Sequence, residues 1–127
     1  MKLKIMLAAA LVMAVPSWQA MAGDAAAGKK VFKKCKACHF VDKEKNKVGP
    51  YLVCVVGRKA GSVEKFKYSK AMKAKGEEGL VWTEENIAEY LKKPKKYIPK
   101  NKMAFAGLKK EEDIANVIAF LKENCKK

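Results

Sequence analysis

The segment whose residue types and spacing point most clearly to chemistry is residues 35–39, Cys-Lys-Ala-Cys-His. Two cysteines with two residues between them, followed directly by histidine, form the attachment pattern of haem c. Each thiol can form a thioether with one haem vinyl group, and His39 can then ligate the iron. His39 is the only histidine in the chain. The motif therefore predicts covalent haem at Cys35 and Cys38, with His39 as one axial ligand.

Two other uses of these cysteines need a different setting. A thioredoxin-like Cys-x-x-Cys pair requires a βαβ unit, whereas the pattern before Cys35 is helical and follows no strand. A structural zinc site requires four ligands, which Cys35, Cys38, Cys54 and Cys125 could supply. The adjacent His39 and the export segment described below favour haem over both.

Methionine is the second ligand that accompanies histidine in many electron-carrying haem proteins. Beyond residue 22 the only methionines are Met72 and Met103. Met72 falls in a candidate helix, where methionine commonly packs a core. Met103 falls in a proline-containing loop between two predicted helices, and this position favours it because functional groups often lie on loops held by rigid elements.

The first 22 residues resemble a secretory signal peptide. Lys2 and Lys4 precede an apolar run over residues 5–15, and Ala20 and Ala22 form a small-residue cleavage site. The run is too short to cross a hydrocarbon core about 30 Å thick, which argues against a permanent membrane anchor. We expect cleavage after Ala22, a single domain over residues 23–127, and a periplasmic location.

The chain carries a formal net charge of +15. A charge of this size bears on partners rather than on the fold. It fits nucleic acid, an anionic membrane surface, an acidic protein or simply a solvated lysine-rich surface. Because export separates the protein from chromosomal DNA, a nucleic-acid partner is not expected.

Sequence periodicity predicts helices joined by long loops. Asp24 is a candidate N-cap for a helix with Gly28, Val31, Phe32 and Cys35 on one face. A short helix is expected over residues 68–75. Residues 51–56 are apolar and β-branched like a strand, although only glycines bound them.

The second half of the chain has stronger helix signals. Thr83 is a candidate N-cap, and Pro94 should end the helix that follows it. Residues 95–108 are predicted to form a loop. Glu111, Glu112 and Asp113 should open a last helix, because acidic residues suit a helix N-terminus.

Taken together, these residues resemble the class I cytochromes c, the mitochondrial and cytochrome c2-like group. The likeness runs through nearly all of residues 23–122. It is carried by Gly28 with Phe32, and by residues 35–39, 46–50, 57–61, 66–69, 79–86, 90–91, 94–99 and 102–108. The resemblance implies an all-α fold wrapped around one covalent haem c. It implies a one-electron carrier cycling between Fe(II) and Fe(III), not an enzyme.

The resemblance also assigns roles to single positions. His39 and Met103 match the axial ligands, and the carbonyl of Pro50 matches the acceptor of the histidine N–H. Tyr90 matches a tyrosine beside the methionine sulfur. The groups that match those holding a haem propionate are Arg58, Tyr68 and Trp82.

Some positions depart from the family pattern. Asn101 replaces a threonine that usually reaches a propionate, and its amide could still donate there. Lys100 replaces a glycine, and Met72 stands where an asparagine near the haem is common. Cys54 also replaces a glycine, and Cys125 has no usual counterpart. In an oxidising compartment we expect a Cys54–Cys125 disulfide, the alternative being two buried free thiols.

Lysines fall where the family places cations around the exposed haem edge. They should form a positive ring that steers acidic-faced redox proteins, such as a reaction centre, oxidase, dehydrogenase or cytochrome complex, to a monomeric carrier. The positions are Lys29, Lys34, Lys47, Lys95, Lys96, Lys102, Lys109 and Lys110.

Two other classes of function remain open at this point. A haem enzyme or small-ligand sensor would need an open iron site. A basic binding module without haem would have Cys35 and Cys38 oxidised to each other. Replacing Met103 tests the first, and haem staining after denaturation tests the second.

Overall fold

The computed structural model describes residue 10 and residues 22–126. The predicted signal peptide therefore lies outside the described residues, apart from Ala10 and Ala22. No helix in the described part is long and apolar enough to cross a bilayer.

Five helices and one short 3₁₀ segment make up the fold. The helices are α1 Ala25–Val31, α2 Lys70–Glu77, α3 Glu84–Lys92, α4 Pro94–Tyr97 and α5 Glu111–Glu123, and the 3₁₀ segment is Phe32–Lys34. Residues 22–126 contain no strand, and their one β-like feature is an isolated antiparallel bridge between Lys59 and Val81. The predicted all-α fold is confirmed.

Side-chain caps set the start of three helices. The Asp24 carboxylate accepts the N–H of Ala26 at 2.8 Å at the start of α1. The hydroxyl oxygens of Ser69 and Thr83 accept N–H groups in the first turns of α2 and α3, at 3.0 and 3.1 Å respectively. Each cap satisfies a donor that has no partner inside its helix.

The packing of α1 on α5 joins the two ends of the domain. A methyl group on Gly28 would overlap the carbonyl of Asn116, so only glycine allows the helices to approach this closely. Phe32 packs on Phe120 with ring centroids 5.3 Å apart. The buried amide of Asn116 accepts the N–H of Asp24 at 2.8 Å, which ties the N-terminal segment to α5.

The core lies under α3 and α5. Their buried faces are joined by residues from the loops and from the segment after α1. The largest contributors are Phe32, Val55, Trp82, Ile87, Tyr90, Ile98, Leu108, Ile114, Val117, Ile118, Phe120 and Leu121. A second group of partly buried apolar side chains packs against this cluster, and it includes Leu52, Met72, Leu91, Tyr97, Met103 and Phe105.

Two local predictions differ from the structure. Regular α-helix ends at Val31, so Cys35 lies in a turn after the 3₁₀ segment. Pro94 both ends α3 and begins α4, because proline suits the first turn of a helix. Residues 51–56, which resemble a strand only in composition, form turns and irregular backbone as expected of an all-α fold, and Cys54 has a left-handed φ of 52° that no strand accommodates.

Candidate functional site

His39 directly follows the turn at residues 35–38, which comes after the 3₁₀ segment. Its Nδ1 is 2.7 Å from the carbonyl oxygen of Pro50. Because a carbonyl only accepts, Nδ1 carries the hydrogen and donates it. If the ring is neutral, the other nitrogen, Nε2, then keeps its lone pair free for a metal.

The electrostatic environment keeps this imidazole neutral. Burial lowers the pKa of His39 below its ordinary value, and the charges of Arg58 and Lys47 lower it further. The hydrogen bond to Pro50 raises the pKa; its effect is smaller than that of burial but larger than that of either charge. A metal ligand must be unprotonated, so the surroundings favour the form that binds iron.

Gly49 explains the tight fit around the ring. A methyl group there would overlap Cε1 of His39 and lie 2.7 Å from Nδ1. The backbone of residue 49 therefore lies directly against the imidazole and fixes its plane. Sequence reasoning quoted Gly49 only within a family motif and did not assign it this role.

Cys35 and Cys38 are free, half-buried thiols on the turn before His39. The backbone N–H groups of Cys38 and His39 both donate to the carbonyl of Cys35, at 3.1 and 3.0 Å. This turn holds the two thiols and the imidazole in one short segment. Burial, and secondarily the neighbouring Cys38, raises the pKa of the Cys35 thiol.

Met103 is half-buried in the loop between α4 and α5. The hydroxyl of Tyr90 approaches its sulfur at 3.9 Å. Tyr90 is buried against Trp82, with ring centroids 4.9 Å apart, and burial raises the pKa of Tyr90 to about 12. A neutral phenol therefore faces the thioether. Met72, the alternative ligand, is half-buried in α2 and packs against the hydrophobic core.

Arg58, Tyr68 and Trp82 come together through loop contacts. The Arg58 guanidinium donates to the carbonyl of Tyr51 at 3.0 Å, and the backbone N–H of Trp82 donates to the carbonyl of Arg58 at 2.8 Å. Burial lowers the pKa of Arg58 and raises that of Tyr68. A half-buried cation with no carboxylate bonded to it is suited to a carboxylate of a bound group, such as a propionate.

The Asn101 side chain hydrogen-bonds inside its own loop. Its Nδ2 donates to the carbonyls of Pro94 at 2.9 Å and Ile98 at 2.8 Å. Both amide hydrogens are thus engaged inside the loop, and neither is left for a propionate.

All the lysines predicted to form the positive ring around the haem edge are exposed. Lys47 lies 4.2 Å from the ring centroid of Phe40 and donates to the carbonyl of Lys36 at 2.8 Å. Lys95 donates to the carbonyl of Asn101. None of Lys34, Lys47, Lys95, Lys96, Lys102 and Lys109 forms an ion pair among the described residues.

Cys54 and Cys125 lie together, with their Cα atoms 4.5 Å apart and their sulfurs within bonding distance. This separation lies well inside the roughly 7 Å limit for bridging two cysteines. Within residues 22–126 no three His, Cys, Asp or Glu side chains form a metal cluster, so the zinc alternative has no support there. The absence of strands from the same region removes the βαβ setting of a thioredoxin-like pair.

A groove of about 760 Å³ lies elsewhere on the molecule, along α3 and α5. Its walls include Glu85, Glu89, Ala115 and Ala119, and they contain none of the predicted ligands or thiols. The groups that fit haem c are instead the thiol pair of Cys35 and Cys38, the His39 imidazole with one free nitrogen, and the Met103 thioether. Cys35 and Met103 pack against the same hydrophobic core.

Comparisons with known proteins agree with this description. The sequence model of the family described as cytochrome c matches residues 25–124. A cytochrome c2 of Afifella marina is 59% identical over 98 residues, covering 76% of this chain and 79% of that protein. A cytochrome c type-1 of Ascaris suum is 53% identical over 106 residues, covering 83% of this chain and 92% of that protein.

A solved structure is also similar. Cytochrome cH from Methylobacterium extorquens superposes with a TM-score of 0.73 at 44% identity, covering 80% of this chain and 99% of that one. The fold and the site thus define a small all-α protein built to hold a covalent haem. The chain belongs to the class I cytochrome c family. It binds haem c covalently and acts as an electron carrier, not as an enzyme.

Proposed function

We propose that the chain is a periplasmic one-electron carrier whose haem is attached through Cys35 and Cys38 and ligated by His39 and Met103. The observation that carries the proposal is the hydrogen bond from His39 to Pro50, which leaves the lone pair of Nε2 free to ligate iron on the only imidazole in the chain. When bound, the haem supplies an Fe(III)/Fe(II) couple that accepts and releases one electron.

The chain's own residues would restrict the haem to electron transfer. Gly49 and Pro50 hold the plane and tautomer of His39, and Tyr90 presents a neutral hydroxyl to Met103. If His39 and Met103 both ligated the iron, they would leave no coordination position for oxygen or peroxide. Such a closed site favours a carrier over a peroxidase or a small-ligand sensor.

Arg58, Tyr68 and Trp82 are proposed to hold a haem propionate. The guanidinium of Arg58 is half-buried with only carbonyl acceptors, and a carboxylate would provide it with a charged partner. Neutralising that carboxylate would also limit the electrostatic effect of haem charge on the iron.

The partners are proposed to be acidic-faced redox proteins that dock transiently on the lysine ring. The exposed, unpaired lysines support this, because solvated charges steer encounter without requiring a large buried interface. Export by residues 1–22 and cleavage before Gly23 would bring the monomeric carrier to the periplasm.

The Cys54–Cys125 disulfide is part of the proposal. The short Cα separation and the oxidising compartment both support it. Thiol counting and mass measurement of the denatured mature protein, with and without reductant, test it. Two free thiols in protein prepared without reductant would exclude the bond.

Absorption spectra of the mature protein test the proposed function. We expect a sharp c-type α band on reduction and a weak far-red methionine–iron band on oxidation. Met103→Ala should abolish the far-red band, and the control Met72→Ala should retain it. A far-red band that survives Met103→Ala would show that the ligand is wrong. Loss of haem from the denatured chain would exclude covalent attachment.

A further inference from the structure

Asn101 is one of the few buried polar residues of the described chain, with 4% of its surface exposed. Its side chain uses every hydrogen-bonding group inside one loop. The amide nitrogen donates to the carbonyls of Pro94 and Ile98 at 2.9 and 2.8 Å. The amide oxygen accepts the backbone N–H of Met103 at 2.8 Å.

These three bonds connect α4 to the backbone of Met103. Two further bonds close the same loop, one from the Asn101 N–H to the carbonyl of Ile98 at 3.2 Å and one from Lys95 to the carbonyl of Asn101. The backbone of Met103 is therefore held by Asn101, while the sulfur is approached from another direction by Tyr90 at 3.9 Å.

The backbone conformation of Lys100, the residue before Asn101, destabilises this loop. Lys100 has a left-handed φ of 66°, a conformation that favours glycine and costs free energy for a residue with a Cβ. Such strain persists where neighbouring contacts hold the backbone in place. The hydrogen bonds of Asn101 are the contacts adjacent to the strained residue.

We infer that Asn101 is the positioning residue for the sixth iron ligand: it holds Met103 at the iron by locking the loop against the strain at Lys100, and it does not bind the haem. The inference rests on the proposed ligation by Met103. A buried amide that anchors the ligand backbone controls how often the thioether leaves the iron. Exogenous ligands should then bind to the ferric protein when Asn101 is altered.

Imidazole binding to the ferric holoprotein measures this opening directly. Asn101→Ala should raise the affinity for imidazole about tenfold or more, since it removes buried hydrogen bonds that stabilise the closed loop. Asn101→Thr retains one donor and one acceptor and should give an intermediate affinity. Lys100→Gly should lower the affinity in the otherwise unchanged protein, and it should partly reverse the effect of Asn101→Ala.

Asn116→Ala is the matched control, because it removes a second buried amide that hydrogen-bonds to Asp24 rather than within the Met103 loop. It should lower the midpoint of global denaturation without raising imidazole affinity. If Asn101→Ala and Asn116→Ala raise the affinity equally, Asn101 acts only through overall stability and the inference is wrong. Should Asn101→Ala fail to fold, an unchanged affinity in Lys100→Gly would overturn the inference instead.

The two proposals fail in different ways. If the far-red band survives Met103→Ala, the ligand assignment is wrong and the positioning role falls with it. If that band is lost while Asn101→Ala binds imidazole like the unaltered protein, only the positioning role is wrong.

Discussion

Individual residues around His39 fix the orientation of its imidazole ring. Pro50 accepts its hydrogen, and Gly49 lies against its ring with no room for a methyl group. The attachment motif at residues 35–39 was readable from sequence because all of its chemistry is contiguous. The contact of Gly49 was not readable, because it depends on a loop folding back onto the ring.

Gly49→Ala should displace the His39 ring. The added methyl group would overlap the imidazole, and overpacking of this kind costs about 1–3 kcal/mol. We expect a lower denaturation midpoint and a broadened α band in the reduced spectrum. Gly57→Ala is the control: φ is 91° there but no atom lies within 4 Å of the new Cβ, so it should lose stability without a spectral change.

Tyr68 should make stability depend on alkaline pH. Its oxygen accepts the Val63 N–H at 3.1 Å, and burial raises its pKa, opposed by that bond and by Arg58, with Tyr51 adding to the rise. The folded pKa lies above the unfolded value, so the hydroxyl stabilises fully below the unfolded pKa. That contribution is lost as the pH rises through the folded pKa.

Comparing the protein with its Tyr68→Phe variant separates the contribution of Tyr68 to alkaline stability from that of the lysines, because the lysines are the same in both proteins. Below pH of about 10 the variant should be less stable by about 1 kcal/mol, the usual contribution of one hydrogen bond. The difference should shrink as the pH rises further. Denaturant unfolding of both proteins from neutral to alkaline pH measures it, and a difference that stays constant would contradict the pKa direction.

At the scale of elements, caps and charge patterns predicted α3 and α5 well. Thr83 begins one, and acidic residues open the other. α4 was missed because Pro94 was interpreted only as a stop, although proline also suits a helix start. The apolar, β-branched run at residues 51–56 suggested a strand, since periodicity does not register the left-handed backbone at Cys54.

The α1–α5 contact includes a contribution from Asn116 that the sequence does not reveal. In sequence this asparagine only interrupts an apolar stripe. In the structure it is buried and accepts the N–H of Asp24, a residue 92 positions earlier. No local signal distinguishes such an amide from an exposed one.

Gly28→Ala should weaken the contact between these helices. Alanine favours helix over glycine by about 1 kcal/mol, but the new methyl group would overlap the Asn116 carbonyl and lie 2.9 Å from the Cβ of Phe120. Since neither backbone can move independently, we expect the overlap to dominate, with a net loss of about 2 kcal/mol. Lys30→Ala, on an exposed position of α1, should change stability by no more than about 0.5 kcal/mol. Denaturant unfolding of both variants measures the difference.

Over the whole molecule, charge is distributed unevenly. Acidic residues concentrate in the first turns of α3 and α5, where they suit the helix dipoles. The composition predicts the excess of positive charge. Only the fold shows which lysines belong to the proposed docking ring and which pair with α3, such as Lys122, whose Nζ lies 3.2 Å from Glu84.

Electron transfer to an anionic oxidant should reveal this asymmetry. Oxidation of the reduced protein by ferricyanide should slow as ionic strength rises, because salt screens exposed charges over about 8 Å at 0.15 M. Lys96→Glu should slow it several-fold at low salt, whereas Lys122→Glu, with the same change in net charge, should have a smaller effect. Equal effects of the two variants, measured by stopped-flow absorbance, would mean that net charge alone guides the encounter.

The contact between α1 and α5 also orders events in the life of the chain. α1 immediately precedes the segment with both thiols, yet its packing surface is supplied by residues 111–123, near the other end. Because α1 has no such packing surface without residues 111–123, the domain cannot close around residues 35–39 until nearly all of the chain is available. If haem is joined to these thiols as proposed, closure of α1 on α5 would then hold the attached segment in place.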